Sequence, residues 1–244
     1  MRKILTIDHG NSSVKVNVYE GSGDVTSLRM EELCIEAVAE LVERVRPDGI
    51  VYAAVGRTDA RMLESVSRLD GNVLVVTHAT PLPIGIAYGT PGTLGLDRVA
   101  AAVAAAAMFP GETLLVADAG TALTADIVSA DGVFMGGNIS AGVRLRLDSL
   151  ASHTAQLPRV LPEGRLPIYG KDTETALRCG AVRGAAAEIA YTAAAGQCSR
   201  IVLTGGDAAL VANALCQMTS MPLDSVDDLV GKGLLRIYEH NEDN

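Results

Sequence analysis

The 244-residue chain is 48% hydrophobic, which excludes intrinsic disorder and suits either one large domain or two small ones. Its formal net charge of -9 excludes a general nucleic-acid binder, because displacing phosphate counterions needs a dense Lys/Arg surface. The opening MRKILTIDHG has too short an apolar run for a signal segment, and the alanine-rich run from Val99 to Phe109 is too short to span a membrane.

The four cysteines, Cys34, Cys179, Cys198 and Cys216, show neither metal-ligand spacing nor a disulfide framework, and are expected as free thiols. A cytoplasmic protein with no nucleic-acid and no membrane partner is the expectation.

In chain order, Lys3 to Asp8 reads as a strand, His9 to Ser12 as a tight turn, and Val14-Lys15-Val16-Asn17-Val18 as an alternating strand, together a β-hairpin. Glu31 to Arg46 carries apolar residues at helical spacing and is stopped by Pro47. The run Ile50 to Val55 then reads as a buried strand, and this strand-helix-strand order implies parallel pairing. A glycine-rich loop, Tyr88 to Gly95, leads directly into a helix with Asp97 and Arg98 in or near its first turn.

An internal repeat organises the chain. LTIDHGNSSVKVNVYEGSG, from Leu5, recurs in outline as LLVADAGTALTADIVSADG, from Leu114, matching Asp8 to Asp118 and Gly10 to Gly120. Each copy is an apolar strand ending in Asp-x-Gly, then a hydroxyl-bearing turn, then an alternating strand. The expectation is a duplicated α/β fold, residues 1–110 and 111–244, divided at the Pro110-Gly111 break, with the halves facing each other across a cleft.

The second half continues with a short strand near Val133, the pair Gly136-Gly137, a helix from about Ala141 and a loop over 154–170. Helices follow from Asp172 to Ala195 and from Asp207 to Gln217. Between those two, Ile201 to Thr204 runs into Gly205-Gly206-Asp207, a strand ending in glycines at a helix start, which suits an anion.

In the first Asp-x-Gly turn, Asp8-His9-Gly10-Asn11-Ser12-Ser13, glycine lets the backbone approach a phosphate, amides and hydroxyls donate to it, and the carboxylate can hold hydrated Mg²⁺. The alternative is an ordinary hairpin turn with local side-chain bonds. Asp118 to Asp126 repeats the chemistry, with Thr121 as phosphate donor and Asp118 holding a cation; its alternative is a structural hairpin inherited by duplication. An acid such as Asp97 at a helix start is stabilised as an anion and can take a proton from a substrate hydroxyl, and Arg98 offers a fork to a carboxylate or phosphate. The alternative there is a helix-end charge with a solvated neighbour. Asp172 and Thr175 read as helix caps.

Taken in order, IDHGNS, the Tyr88-to-Arg98 stretch, DAGTALTAD, GGNISAG, DTETALRCG and TGGDA resemble the type III pantothenate kinases over nearly the whole chain. The resemblance implies a duplicated RNase H-like (actin-like) fold of mixed β-sheet domains with flanking helices. It implies phosphorylation of pantothenate by ATP, the first committed step towards coenzyme A, by a homodimer whose active site lies at the subunit interface.

On that resemblance Asp97 is the general base, and Tyr88, Gly95, Leu96, Arg98 and Thr173 bind pantothenate, Thr173 from the partner subunit or across the cleft. Asp8, His9, Gly10, Asn11, Ser12, Ser13, Val14, Lys15 and Thr121 bind ATP. Asp118 holds a monovalent cation, potassium or ammonium, and Mg²⁺ accompanies the nucleotide. The chain departs from the family's pattern with serine for threonine in the first turn, His9 for isoleucine, and Ala141 for proline after the glycine pair. A kinase-like accessory protein and another small-molecule kinase of the same superfamily are the alternatives.

Overall fold

The computed structural model describes residues 2–10, 13–21, 24–54, 60–69 and 71–242. The chain divides into two compact units, Met1–Ala107 together with Leu229–Asn244, and Met108–Asp228. Each contains one mixed sheet.

In the first unit, the alternation of Leu5 and Ile7 with Ile4 and Thr6 makes β1 (Lys3–His9), which pairs antiparallel with β2 (Val14–Glu20); β2 pairs antiparallel with β3 (Asp24–Met30). α1 (Ile35–Val45) ends at Arg46 in the left-handed region, just before Pro47. β4 (Gly49–Ala54) then returns parallel to β1. α2 (Ala60–Ser67) leads to β5 (Asn72–Val75), parallel to β4, giving the order β3-β2-β1-β4-β5. Leu5, Ile7, Val14, Val16, Ile50 and Tyr52 bury one face of this sheet against Val38, Leu41 and Val42 of α1 and Val66 of α2. A two-residue strand, β6 (Gly85–Ile86), and a 3-10 turn at Pro91–Thr93 precede α3 (Leu96–Met108).

The second unit repeats the plan. β7 (Leu114–Ala119), β8 (Ala122–Val128) and β9 (Val133–Ala141) form an antiparallel meander. After α4 (Val143–His153) and α5 (Thr173–Ala195) the chain forms β10 (Arg200–Thr204), parallel to β7, then α6 (Ala208–Leu215) and β11 (Leu223–Ser225), parallel to β10. The order β11-β10-β7-β8-β9 mirrors the first sheet strand for strand. Leu115, Ala117, Leu123, Val182, Ile189, Ile201, Leu203 and Val211 form its core. α5 starts with a capping box in which the Asp172 carboxylate accepts the Thr175 amide at 2.8 Å, as its spacing predicts.

The last helix, α7 (Leu229–Glu242), packs on β1 and β4 and belongs to the first unit, whereas the sequence reading grouped all of 111–244 together. Two glycines explain its allegiance. A side-chain carbon on Gly233 would strike the Ala100 backbone of α3, and one on Gly49 of β4 would strike the Tyr238 ring and hydroxyl. That hydroxyl accepts a bond from Asn72 at 3.2 Å and donates to Glu242 at 2.9 Å, so α7 seats on the sheet through a buried, hydrogen-bonded tyrosine.

Candidate active site

Asp97 is the second residue of α3, and the chain before it is tied down locally. The Thr93 hydroxyl donates to the Thr90 carbonyl at 3.0 Å, the Leu94 amide to the Pro91 carbonyl at 3.2 Å, and His78 Nε2 lies 2.9 Å from the Leu94 carbonyl oxygen. The Gly95 carbonyl then accepts the Val99 amide at 3.1 Å and opens the helix. Asp97 Oδ1 folds back to accept the Arg98 amide at 2.9 Å, and a side-chain carbon on Gly95 would collide with that oxygen. Glycine before the helix is therefore what admits this carboxylate conformation. Arg98 is buried, its guanidinium 5.7 Å from the centre of the Tyr88 ring, a cation against an aromatic face. Tyr88, Gly95, Leu96, Asp97 and Arg98 thus form one local cluster.

The first Asp-x-Gly turn begins at the end of β1. Asp8 sits opposite Lys15 of β2, and the Gly10 amide donates to the Ser13 carbonyl at 3.1 Å. Asn11 and Ser12 lie outside the described residues. His9 alternates to the opposite face from Asp8, where its Nδ1 is 2.9 Å from the Tyr52 hydroxyl, and burial lowers its pKa below the ordinary histidine value. Its imidazole is engaged with the core edge.

The second turn occupies the same place in the other sheet, with a difference in register. His9 pairs with Val14, whereas Ala119 pairs with Leu123, so the second turn is one residue shorter. Asp118 consequently faces Thr124 where Asp8 faces Lys15. Directly opposed side chains in an antiparallel pair lie on one face, so Asp8 has a cation as its cross-strand neighbour and Asp118 a neutral hydroxyl.

Glycines crowd Asp118. A side-chain carbon at Gly205, whose φ is +100°, would meet Asp118 Oδ1, and one at Gly120 would come within 3.2 Å of it. The Asp207 amide donates to the Ala119 carbonyl at 3.0 Å, and the Gly142 amide to the Thr121 carbonyl at 3.0 Å. These bonds bring TGGDA, DAGTA and the end of GGNISAG to the carboxyl ends of the parallel neighbours β7 and β10, the usual ligand end of an open α/β sheet.

Thr121 is exposed there. Thr173, at the start of α5, lines a separate open cavity of about 420 Å³ in the same unit with Arg146, Leu150, Leu157 and Leu177. At this corner the Arg144 side chain donates to the Asp207 carboxylate at 3.1 Å; Asp207 lies in TGGDA, but Arg144 lies in none of the motifs, and 63 positions separate the two.

The family model for type III pantothenate kinase matches residues 4–195. The chain is 37% identical over 245 residues to a type III pantothenate kinase of Porphyromonas gingivalis, covering 97% of this chain and 98% of the relative. It is 39% identical over 180 residues to one of Phocaeicola vulgatus, 74% of each chain. A solved structure, the activator of the 2-hydroxyisocaproyl-CoA dehydratase from Clostridium difficile with bound ADPNP, matches with a TM-score of 0.56 at 13% identity, covering 99% of this chain and 96% of that one, a likeness of fold. The duplicated mixed sheets with flanking helices form an RNase H-like (actin-like) fold. With the family model covering most of its length and relatives matched nearly end to end, the chain belongs to the type III pantothenate kinases, and is an ATP-dependent kinase.

Proposed function

We propose that the chain transfers the γ-phosphoryl group of ATP to the primary hydroxyl of pantothenate, giving 4'-phosphopantothenate, with Asp97 as the general base. The observation that carries this reading is the Asp97 carboxylate, anchored through Oδ1 at the head of α3 within the Tyr88–Arg98 cluster. Its other oxygen can accept the hydroxyl proton as the new P–O bond forms, while the bridging oxygen of ATP takes the electron pair of the bond that breaks. The carboxylate takes the proton late in transfer, as the new bond forms. Most of the acceleration then comes from alignment and charge compensation.

Tyr88, Gly95, Leu96, Arg98 and Thr173 are assigned to pantothenate, whose carboxylate suits a guanidinium fork. The residues Asp8 to Lys15 and Thr121 are assigned to the nucleotide. For His9, the Tyr52 bond leaves the backbone as the ATP-facing part. Among the described residues no group of three or more His, Cys, Asp or Glu side chains could hold a metal ion, which suits a Mg²⁺ carried mainly by phosphate oxygens and water.

A monovalent cation, potassium or ammonium, suits Asp118, a hard oxygen donor with a neutral cross-strand neighbour. A homodimer with its active site at the subunit interface, Thr173 serving the partner's site, completes the reading. Exposed apolar side chains on β9, α4 and α5, among them Ile139, Leu145 and Tyr191, support such an interface. Among the described residues no helix is long and apolar enough to cross a membrane.

The test is ADP release from the purified protein with ATP and Mg²⁺, with and without pantothenate, in potassium and in sodium buffer. Pantothenate-dependent turnover that is faster in potassium is expected. Equal rates in the two salts would remove the cation role of Asp118, and no turnover would favour a kinase-like accessory protein.

A further inference from the structure

The Asp207 side chain is a buried carboxylate at the N-cap of α6, and it makes no capping bond to that helix. Aspartate at this position ordinarily accepts a first-turn amide. Here Oδ1 instead accepts the Nε–H of Arg144 at 3.1 Å. The terminal nitrogen of Arg144 reaches the other way, to Glu163, in the segment between α4 and α5. Arg144 is half exposed and Glu163 more so, and the hydrogen bond from Arg144 holds the Glu163 carboxyl below its ordinary pKa.

Backbone bonds tie both members of the Asp207–Arg144 pair to the second Asp-x-Gly turn. Asp207 is bonded to Ala119, next to Asp118, and Arg144 follows two residues after Gly142, which is bonded to Thr121. One edge of the guanidinium therefore has a buried partner, and another has an exposed carboxylate that an incoming anion can replace.

Building on the kinase reading above, we propose that Arg144 is a further nucleotide-binding residue, a guanidinium that exchanges Glu163 for the polyphosphate of ATP, with Asp207 as the positioning residue that keeps it at the second turn. Arginine suits the task because its planar fork can keep the Nε bond to Asp207 while its terminal nitrogens donate to phosphate oxygens. Glu163 acts as an internal competitor, and removing it leaves the fork open to the nucleotide.

The test measures KM for ATP and KM for pantothenate in Arg144→Gln, Arg144→Lys and Glu163→Gln, with calorimetric binding of Mg-ATP to the same proteins and thermal melting as the check on folding. Arg144→Gln is expected to raise KM for ATP about tenfold, with Arg144→Lys between it and the parent, because a point charge replaces the fork. Glu163→Gln is expected to lower KM for ATP several-fold. Opposite signs for the two partners of one ion pair are what a merely structural bridge does not produce.

Unchanged ATP affinity in a folded Arg144→Gln, a rise confined to pantothenate, or a Glu163→Gln variant that weakens ATP binding would each overturn the proposal. If the parent protein binds no Mg-ATP at all, the kinase reading falls with it. If the parent binds and turns over normally while the variants match it, only the role of Arg144 falls.

Discussion

At the residue scale the assignment rests on how closely a carboxylate is held. Asp97 folds back over the start of α3 only because Gly95 has no side chain. In Gly95→Ala the added methyl meets the end of a flexible side chain, so the carboxylate moves and the helix need not. The expected result is a kcat lowered roughly 10- to 100-fold with little change in melting temperature, since small misplacements of a reacting group cost about that much. A variant with parental kcat would mean that the Oδ1–amide bond is not part of the working geometry.

The same scale shows what sequence could reveal. Asp8, Asp118 and Asp97 were legible as candidates because Asp-x-Gly and Gly-x-Asp-Arg are local patterns. Arg144 was not, since its meaning depends on Asp207, 63 positions away. The His9–Tyr52 bond likewise joins two strands, and nothing near either residue announces it.

At the element scale the strands of the two hairpins and the helices α3 and α5 follow from periodicity and caps and stand where those signals put them, whereas α1 starts only at Ile35, four residues after Glu31. α7 does not read as a helix so readily, because LVGKGLLRIYEHNE carries glycine at 231 and 233, both poor helix formers. The structure supplies the reason for the second of them, the close approach of Gly233 to the Ala100 backbone.

Gly233→Ala should therefore destabilise the protein despite its better helix propensity, by about 1–3 kcal/mol from overpacking against backbone. Tyr238→Phe, which keeps the ring and loses two hydrogen bonds, should cost only about 1 kcal/mol. Urea midpoints measured for both variants check the order. A stabilised Gly233→Ala would show that propensity outweighs the contact.

At the scale of the whole molecule, duplication was legible and its consequence for the last helix was not. The repeat at Leu5 and Leu114 foreshadowed two sheets that share a five-strand order, since an apolar strand, a turn and an alternating strand recur as a set. Which sheet α7 would cover depends on long-range packing at Gly49 and Gly233, and no periodicity encodes that.

The proposed homodimer belongs to this scale as well. Sedimentation at micromolar concentration is expected to show two chains per particle, and Tyr191→Asp, altering a side chain 76% exposed on α5, is expected to shift the particle towards monomer. A parent protein that sediments only as a monomer would contradict the interface.

The central claim, phosphoryl transfer to pantothenate with Asp97 as base, is tested most directly by following 4'-phosphopantothenate formation by the parent and by Asp97→Asn under saturating ATP, Mg²⁺ and potassium. The account predicts product from the parent only when pantothenate is present, and a rate at least about 100-fold lower from a folded, ATP-binding Asp97→Asn. Product at the parental rate from Asp97→Asn would contradict the assigned base, and ADP without phosphopantothenate from the parent would contradict the assigned substrate.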